Sequence, residues 1–98
     1  MFARLVRYSV EPERCEEALA SFREAAGEIR EIDGILGVYV MADGDSGRII
    51  TLTLWEDREK LEASEVRASA LRQEALRAVE GEIDSVERLR VAVPSDED

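Results

Sequence analysis

The chain has 98 residues, 45% of them hydrophobic and 37% charged, which indicates one globular domain rather than a disordered segment. Lys and Arg total 13 against 23 for Asp and Glu, and the net charge of -10 argues against nucleic acid and anionic membranes as partners. No apolar run is long enough to span a bilayer, and we expect no secretory leader. Because Cys15 is the only cysteine, no intrachain disulfide can form, and we expect a cytoplasmic protein.

The first half of the chain predicts a strand, a helix and a second strand. Apolar and polar residues alternate through residues 3–10, as in a half-buried strand. Pro12 suits the first turn of a helix, and apolar residues then recur at spacings of three and four over residues 13–32. Gly34 ends this helix, and residues 35–41 predict a strand with two largely apolar faces.

Residues 43–47 (Asp-Gly-Asp-Ser-Gly) have the composition of a tight turn. Their two aspartates also suggest a calcium loop, but nothing downstream supplies the remaining ligands, so a hairpin is favoured. The third strand is predicted at residues 48–57, and neither of its faces is polar. One face carries Ile50, Leu52 and Leu54, and the other carries Ile49, Thr51, Thr53 and Trp55.

The second half predicts two helical pieces and a last strand. Asp57 is a plausible helix N-cap. Helical patterns cover residues 58–63 and 65–79, with a break at Ser64, and a strand pattern covers residues 86–93.

This order of elements predicts a ferredoxin-like α+β fold, βαββαβ, with an antiparallel four-stranded sheet and two helices on one face. The domain spans residues 1–93, and residues 94–98 form an acidic tail that we expect to be disordered. Two helices cover only one sheet face, whereas the other face is also apolar. We therefore predict a homodimer that joins its sheet faces and buries at least roughly 1,200 Å².

Residues 54–63 (Leu-Trp-Glu-Asp-Arg-Glu-Lys-Leu-Glu-Ala) resemble the antibiotic biosynthesis monooxygenase family, whose apolar strand ends in Trp-Glu before an acidic helix start and Leu-x-Ala. Residues 7–12 (Arg-Tyr-Ser-Val-Glu-Pro) resemble its first strand and the following turn. Residues 32–37 (Ile-Asp-Gly-Ile-Leu-Gly) resemble its helix end and second strand. The resemblance extends over residues 3–93 and implies a dimeric α+β barrel.

Family members include cofactor-less oxygenases of quinol-type aromatics and haem-degrading enzymes, in which a Trp works with an Asn and the haem degraders add a His. This chain has no Asn and no His, so Trp55 alone matches that catalytic set, and Ser64 stands where many relatives have a His. The resemblance implies a pocket between the sheet and its own helices. It also implies that Thr51, Thr53 and Trp55 face that pocket. Ile50, Leu52 and Leu54 would then face the partner's sheet.

Each candidate pocket residue also has a structural interpretation. Trp55, the best catalytic candidate, is either a stacking wall for a flat ligand or a core aromatic. The arginines of the last strand, Arg88 and Arg90, either meet an anionic group or protect a sheet edge. The remaining candidates, Tyr8, Tyr39, Thr51 and Thr53, are also ordinary core, interface or strand residues.

No nucleophile–base pair and no metal-ligand cluster can be assembled from the sequence, so we expect neither a metal nor another cofactor. Three hypotheses remain. The protein is a cofactor-independent monooxygenase of a small aromatic or quinol-type substrate, a non-catalytic dimeric module that binds a small hydrophobic molecule, or a dimeric barrel that serves only assembly.

Overall fold

The strands and helices follow the predicted order. The computed structural model describes residues 1–93, so the predicted acidic tail at 94–98 lies outside the described residues. The strands are β1 (Phe2–Ser9), β2 (Ile35–Asp43), β3 (Arg48–Trp55) and β4 (Glu82–Arg90). The helices are α1 (Cys15–Ile29), preceded by a 3₁₀ turn at Pro12–Arg14, α2 (Arg58–Ala63) and α3 (Glu65–Arg77).

The sheet is antiparallel throughout, with the strand order β2-β3-β1-β4. The first and third strands are therefore the central ones. In the register, Leu5 lies opposite Leu52 and Val6 lies opposite Thr51. The ferredoxin-like α+β fold predicted from the order of elements is thus the observed one.

Local chemistry explains where the second helical region begins and divides. The side chain of Asp57 accepts a hydrogen bond of 2.8 Å from the backbone N–H of Lys60, as expected of an N-cap. The helix ends at Ala63, and Ser64 separates it from α3 at the predicted break. The first helix is shorter than predicted, because Pro12–Arg14 form a 3₁₀ turn and the N–H groups of Glu31 and Ile32 bond to carbonyl oxygens three residues back instead of four.

The last strand spans Glu82–Arg90, so it begins and ends earlier than the predicted residues 86–93. In its first part, the charged residues Glu82 and Asp84 alternate with less exposed residues, a pattern that an edge strand tolerates. Because these residues are charged, the sequence pattern did not indicate where the strand begins. A register shift between Arg7 and Tyr8 realigns β1 with this early segment.

The hairpin between β2 and β3 depends on Gly47. Its φ is +75°, and a β-carbon there would lie 2.0 Å from the carbonyl oxygen of Val10. The Gly47 carbonyl also accepts a 2.9 Å hydrogen bond from the N–H of Val10. The side chain of Asp43 accepts from the N–H of Asp45, which stabilises the turn.

The two sheet faces have different surroundings. The helices cover the face that carries Tyr8, Ile49 and Trp55, each of which is 0% exposed. On the other face, called the outer face below, Tyr39 and Met41 are 53% and 45% exposed. The apolar and glycine residues of the outer face are Ala3, Leu5, Gly37, Tyr39, Met41, Ile50, Leu52, Leu54 and Leu89, and the ion pair of Arg7 and Glu87 lies on the same face. Among residues 1–93, no helix combines the length and the apolar composition that crossing a bilayer requires.

Candidate functional site

A cavity lies between the sheet and the two longer helices. It is small, because the centre of a water molecule could occupy only about 20 Å³ of it. On the same measure, one buried water needs about 10–15 Å³. Its walls are mostly apolar, with polar groups from three elements. It is lined by Arg4, Val6 and Tyr8 of β1, Phe22, Ala25, Ala26 and Ile29 of α1, Val38 and Val40 of β2, Thr51 and Thr53 of β3, and Ala68 and Arg72 of α3.

Arg4 is the most buried charged residue of the site, with 1% of its surface exposed. Its Nη2 donates to the carbonyl oxygen of Leu61 at 2.9 Å, to Oγ of Ser64 at 3.2 Å and to Oε1 of Glu65 at 2.9 Å. Its Nε and Nη1 have no hydrogen-bond partner within residues 1–93. Burial lowers the pKa of Arg4, and Glu65 opposes that effect.

Glu65 joins three guanidinium groups. Besides Arg4, its Oε1 accepts from Nε of Arg88 at 3.1 Å and lies 2.9 Å from Nη2 of Arg88. Its Oε2 lies 3.6 Å from Nη2 of Arg72. Burial favours the neutral carboxyl, but the hydrogen bond from Arg88 and the three positive charges outweigh it, so the pKa of Glu65 lies below its usual value. The Glu65 carboxylate is therefore shared by the guanidinium groups of three arginines.

The hydroxyl of Tyr8 lies 3.1 Å from Oγ1 of Thr51, and both side chains are buried. The ring of Tyr8 also packs against Phe22 with 4.7 Å between centroids. Burial raises the pKa of Tyr8 to about 12, against which its hydrogen bond with Thr51 acts. Tyr8 is consequently a neutral hydroxyl at physiological pH, suited to orienting an oxygen atom and unsuited to removing a proton.

Trp55 is 0% exposed and lies behind the cavity wall rather than in it. Its indole Nε1 donates to Oγ1 of Thr53 at 2.9 Å. The guanidinium carbon of Arg4 lies over its ring, 5.6 Å from the centroid. Trp55 therefore contacts two residues that do line the cavity, and it acts on the cavity through them.

The sequence-predicted site residues fall into three places. Tyr8, Thr51 and Thr53 line the cavity, and Trp55 supports it. Arg88 lies opposite Arg4 on the edge strand and reaches Glu65 from outside. Tyr39 lies on the outer face, opposite Leu52, away from the cavity.

Three residues of the site were missed from sequence: Arg4, Glu65 and Arg72. The signal was present, because Arg4 interrupts the alternation that places Val6 and Tyr8 on the helix-facing side of β1. Arg72 likewise follows Ala68 by four residues on the buried stripe of α3. A charged residue inside an apolar pattern is informative because burying it requires a partner.

The site supplies hydrogen bonding and positive charge. Within residues 1–93, no three carboxylate or thiol side chains come together as metal ligands. Glu65, the carboxylate nearest to the cavity arginines, is held by three cations, which makes it a poor general base.

Comparison with curated proteins finds two relatives in Mycobacterium tuberculosis, the uncharacterized proteins Rv2558 (strain H37Rv) and MT2635 (strain CDC 1551 / Oshkosh). Each is 32% identical over 76 residues, a match that includes 76% of this chain and 32% of the relative. The chain thus spans about a third of the length of these relatives.

Solved structures share the fold at low sequence identity. A candidate antibiotic biosynthesis monooxygenase from Deinococcus radiodurans superposes with a TM-score of 0.79 at 14% identity, over 99% of this chain and 98% of that one. SnoaB, a cofactor-independent oxygenase from Streptomyces nogalater, superposes with a TM-score of 0.75 at 16% identity, over 98% and 97% of the two chains. The family model for antibiotic biosynthesis monooxygenase matches residues 1–72. The chain therefore belongs to the antibiotic biosynthesis monooxygenase family.

Proposed function

We propose that this protein is a cofactor-independent monooxygenase that oxidises a small aromatic or quinol-type molecule in the cavity between its sheet and helices. The observation that carries the proposal is the lining of that cavity in a member of this family. The hydroxyl-bearing residues Tyr8, Thr51 and Thr53 line the cavity together with mostly apolar side chains. Such a combination of an apolar enclosure and a few polar groups suits a flat aromatic substrate with an oxygen substituent.

The reaction needs no external reductant if the substrate supplies all the electrons. An activated ring CH₂ group and O₂ yield a ring carbonyl and water, with one oxygen atom in each product. The carbon loses four electrons, and O₂ gains them. The chain would hold the ring and exclude water, and the hydroxyls of Tyr8 and Thr51 would orient its oxygen substituent.

The small size of the cavity bears on how a substrate enters. About 20 Å³ does not admit an aromatic ring, so the wall must move before binding. The helices present the small side chains of Ala25, Ala26 and Ala68 to the cavity, which leaves room for a ring if α1 and α3 separate. Motions that open and close active sites commonly take about microseconds to milliseconds, which is fast enough for enzymatic turnover.

We also propose that the protein acts as a homodimer joined through its outer faces. The support is the apolar part of the outer face, where Leu52 lies between Leu5 and Tyr39 of the neighbouring strands. A contiguous apolar surface of this kind is unfavourable in water and is covered in most stable proteins. An isologous two-fold contact would bury it symmetrically.

A non-catalytic binding module is the second candidate. The observation that favours it is the absence of His and Asn from the sequence, since no imidazole can serve as a base. The pKa of Tyr8, about 12, and the ion pairs of Glu65 remove two other candidate bases near the cavity.

Oxygen consumption during incubation with anthrones and hydroquinones separates the two candidates. We expect uptake above the buffer rate, reduced in Thr51→Val, which removes a cavity hydroxyl while keeping the shape of the side chain. Tyr39→Phe is the matched control because Tyr39 is exposed on the outer face. Quenching of Trp55 fluorescence without oxygen uptake would favour the binding module. Neither quenching nor uptake would contradict both.

A further inference from the structure

The cavity contains positively charged donors that the protein itself leaves unused. Nε and Nη1 of Arg4 and Nε of Arg72 are buried and have no acceptor within residues 1–93. Both side chains line the cavity, and they are 1% and 7% exposed. Buried N–H groups are nearly always hydrogen-bonded, because leaving one unpaired costs about 1–3 kcal/mol, and more on a charged group.

The charge balance at this place is also incomplete. Glu65 is the carboxylate that contacts Arg4 and Arg72, and it is shared further with Arg88. One negative charge thus faces three positive charges in a chain whose net charge is -10. Removing positive charge from water is costly unless an anion lies beside it, and the cavity is the space that these guanidinium groups border.

We propose that Arg4 and Arg72 bind an anionic oxygen of the ligand, so that the ligand of this cavity is an aromatic acid: an ionised phenol or a carboxylate. Guanidinium groups suit such an oxygen because they present several N–H donors in a fixed plane. Other lining residues, such as Phe22 and Val38, are apolar and suit the ring that bears the acid. A neutral hydrocarbon would leave the same donors unpaired.

This inference deepens the proposed function, on whose cavity it rests, but it requires binding alone and no turnover. Within that function it assigns a role to the arginines. A bound phenol would ionise more readily beside Arg4 and Arg72, because a neighbouring positive charge favours the charged form. The ionised ring is richer in electrons and therefore easier to oxidise.

The test uses para-nitrophenol, whose ionised form is yellow, and para-nitroanisole, its neutral methyl ether. Binding is followed by quenching of Trp55, whose ring lies 5.6 Å from the guanidinium carbon of Arg4. Ionisation of the bound phenol is followed by its visible absorbance during a pH titration. We expect the phenol to bind at least about tenfold more tightly than the ether, a difference of about 1.4 kcal/mol, and to ionise at a lower pH when bound.

Two substitutions distinguish anion binding from a purely structural role. Arg72→Met should abolish the preference for the phenol and the shift in its ionisation, whereas Arg77→Met, an exposed arginine of the same helix, should change neither. Glu65→Gln removes the competing negative charge and should strengthen phenol binding. A structural role for these side chains predicts weaker binding of both probes in every folded variant.

The outcomes for this inference and for the oxygenase are separable. Equal affinity for phenol and ether, or an unchanged preference in Arg72→Met, would overturn the inference even if oxygen uptake is observed. A preference for the phenol without any oxygen uptake would overturn the oxygenase and leave the anion site in place. Binding of para-nitrobenzoate with the same dependence on Arg72 would extend the site to carboxylates, and failure of that probe alone would restrict it to phenols.

Discussion

Arg4 and Trp55 lie on neighbouring central strands, and the guanidinium carbon of Arg4 is 5.6 Å from the centroid of the Trp55 ring. The ring face is negative, so this stacking stabilises a cation that is 1% exposed. Trp55 also donates to Thr53, which lines the cavity. The tryptophan that matches the family motif therefore positions two cavity residues.

Arg4→Met should destabilise the fold by about 2 kcal/mol or more, because hydrogen bonds to charged groups contribute about 1.5–3 kcal/mol each. The substitution deprives the carbonyl oxygen of Leu61 and the carboxylate of Glu65 of a donor. Urea unfolding measures the change. Arg7→Met is the control, since Arg7 is a more exposed arginine of the same strand, paired with Glu87. Equal losses for both variants would contradict the prediction.

Glu65 should make stability depend on pH. Its folded-state pKa lies below the usual 4.5, so the unfolded chain binds the proton more readily. Its contribution is therefore fully present above about pH 4.5 and is lost as the pH falls through the lower folded-state pKa. Solvent screening reduces the effect, because one third of the Glu65 side chain is exposed.

The measurement is the free energy of unfolding of wild type and Glu65→Gln across the acid range. The wild-type advantage should shrink as the pH falls below about 4.5. Glu62→Gln, at an exposed position of α2, should track the wild type. A constant difference between wild type and Glu65→Gln down to strongly acidic pH would argue that the ion pairs contribute nothing.

Leu52→Glu should convert the proposed dimer to a monomer. Leu52 lies at the centre of the outer face, directly opposite Leu5 on one side and Tyr39 on the other. A carboxylate there would be desolvated on association, and its two-fold copy would repel it. Sedimentation velocity should give a mass near 11.0 kDa for this variant and twice that for the wild type.

The control for the dimer is Val66→Glu, which adds the same charge at an apolar residue of α3 that is 83% exposed. It should leave the mass of the dimer unchanged. A wild-type mass near 11.0 kDa, or an unchanged mass for Leu52→Glu, would refute association through the outer face.

Gly47→Ala should destabilise the β2–β3 hairpin and the fold with it. The left-handed backbone at φ +75° is unfavourable for alanine, and strained backbone of this kind costs about 1–3 kcal/mol. In addition, the new β-carbon would lie 2.0 Å from the carbonyl oxygen of Val10. Gly44→Ala, in the same turn but with nothing among the described residues within 4 Å of a β-carbon, should cost far less. Thermal unfolding of the two variants provides the comparison.

Much of the fold followed from local pattern. Alternation along residues 49–55, the cap at Asp57 and the break at Ser64 all reflect interactions between near neighbours, and each was predictable. The beginning of β4 was not, because Glu82 and Asp84 are charged residues that a strand accommodates at a sheet edge, and the edge position follows only from the strand order.

The residues that form the cavity and its ion pairs come from positions that are far apart in the sequence. Alternation placed Thr51 and Thr53 on one face of β3, but both faces are apolar, and only the family resemblance implied that this face meets the helices. Arg4 and Glu65 are separated by 61 positions, and no local pattern indicates that they meet.

The sequence by itself thus determined the order of elements and the two apolar faces of β3, because periodicity and turn chemistry act over a few residues, and its motifs pointed to the family. Only the tertiary structure decided that Trp55 stands behind the cavity, that Tyr39 belongs to the outer face and that Arg4, Arg72 and Glu65 converge. Those relationships arise from the crossing of helices over a sheet, which brings together side chains that are remote along the chain.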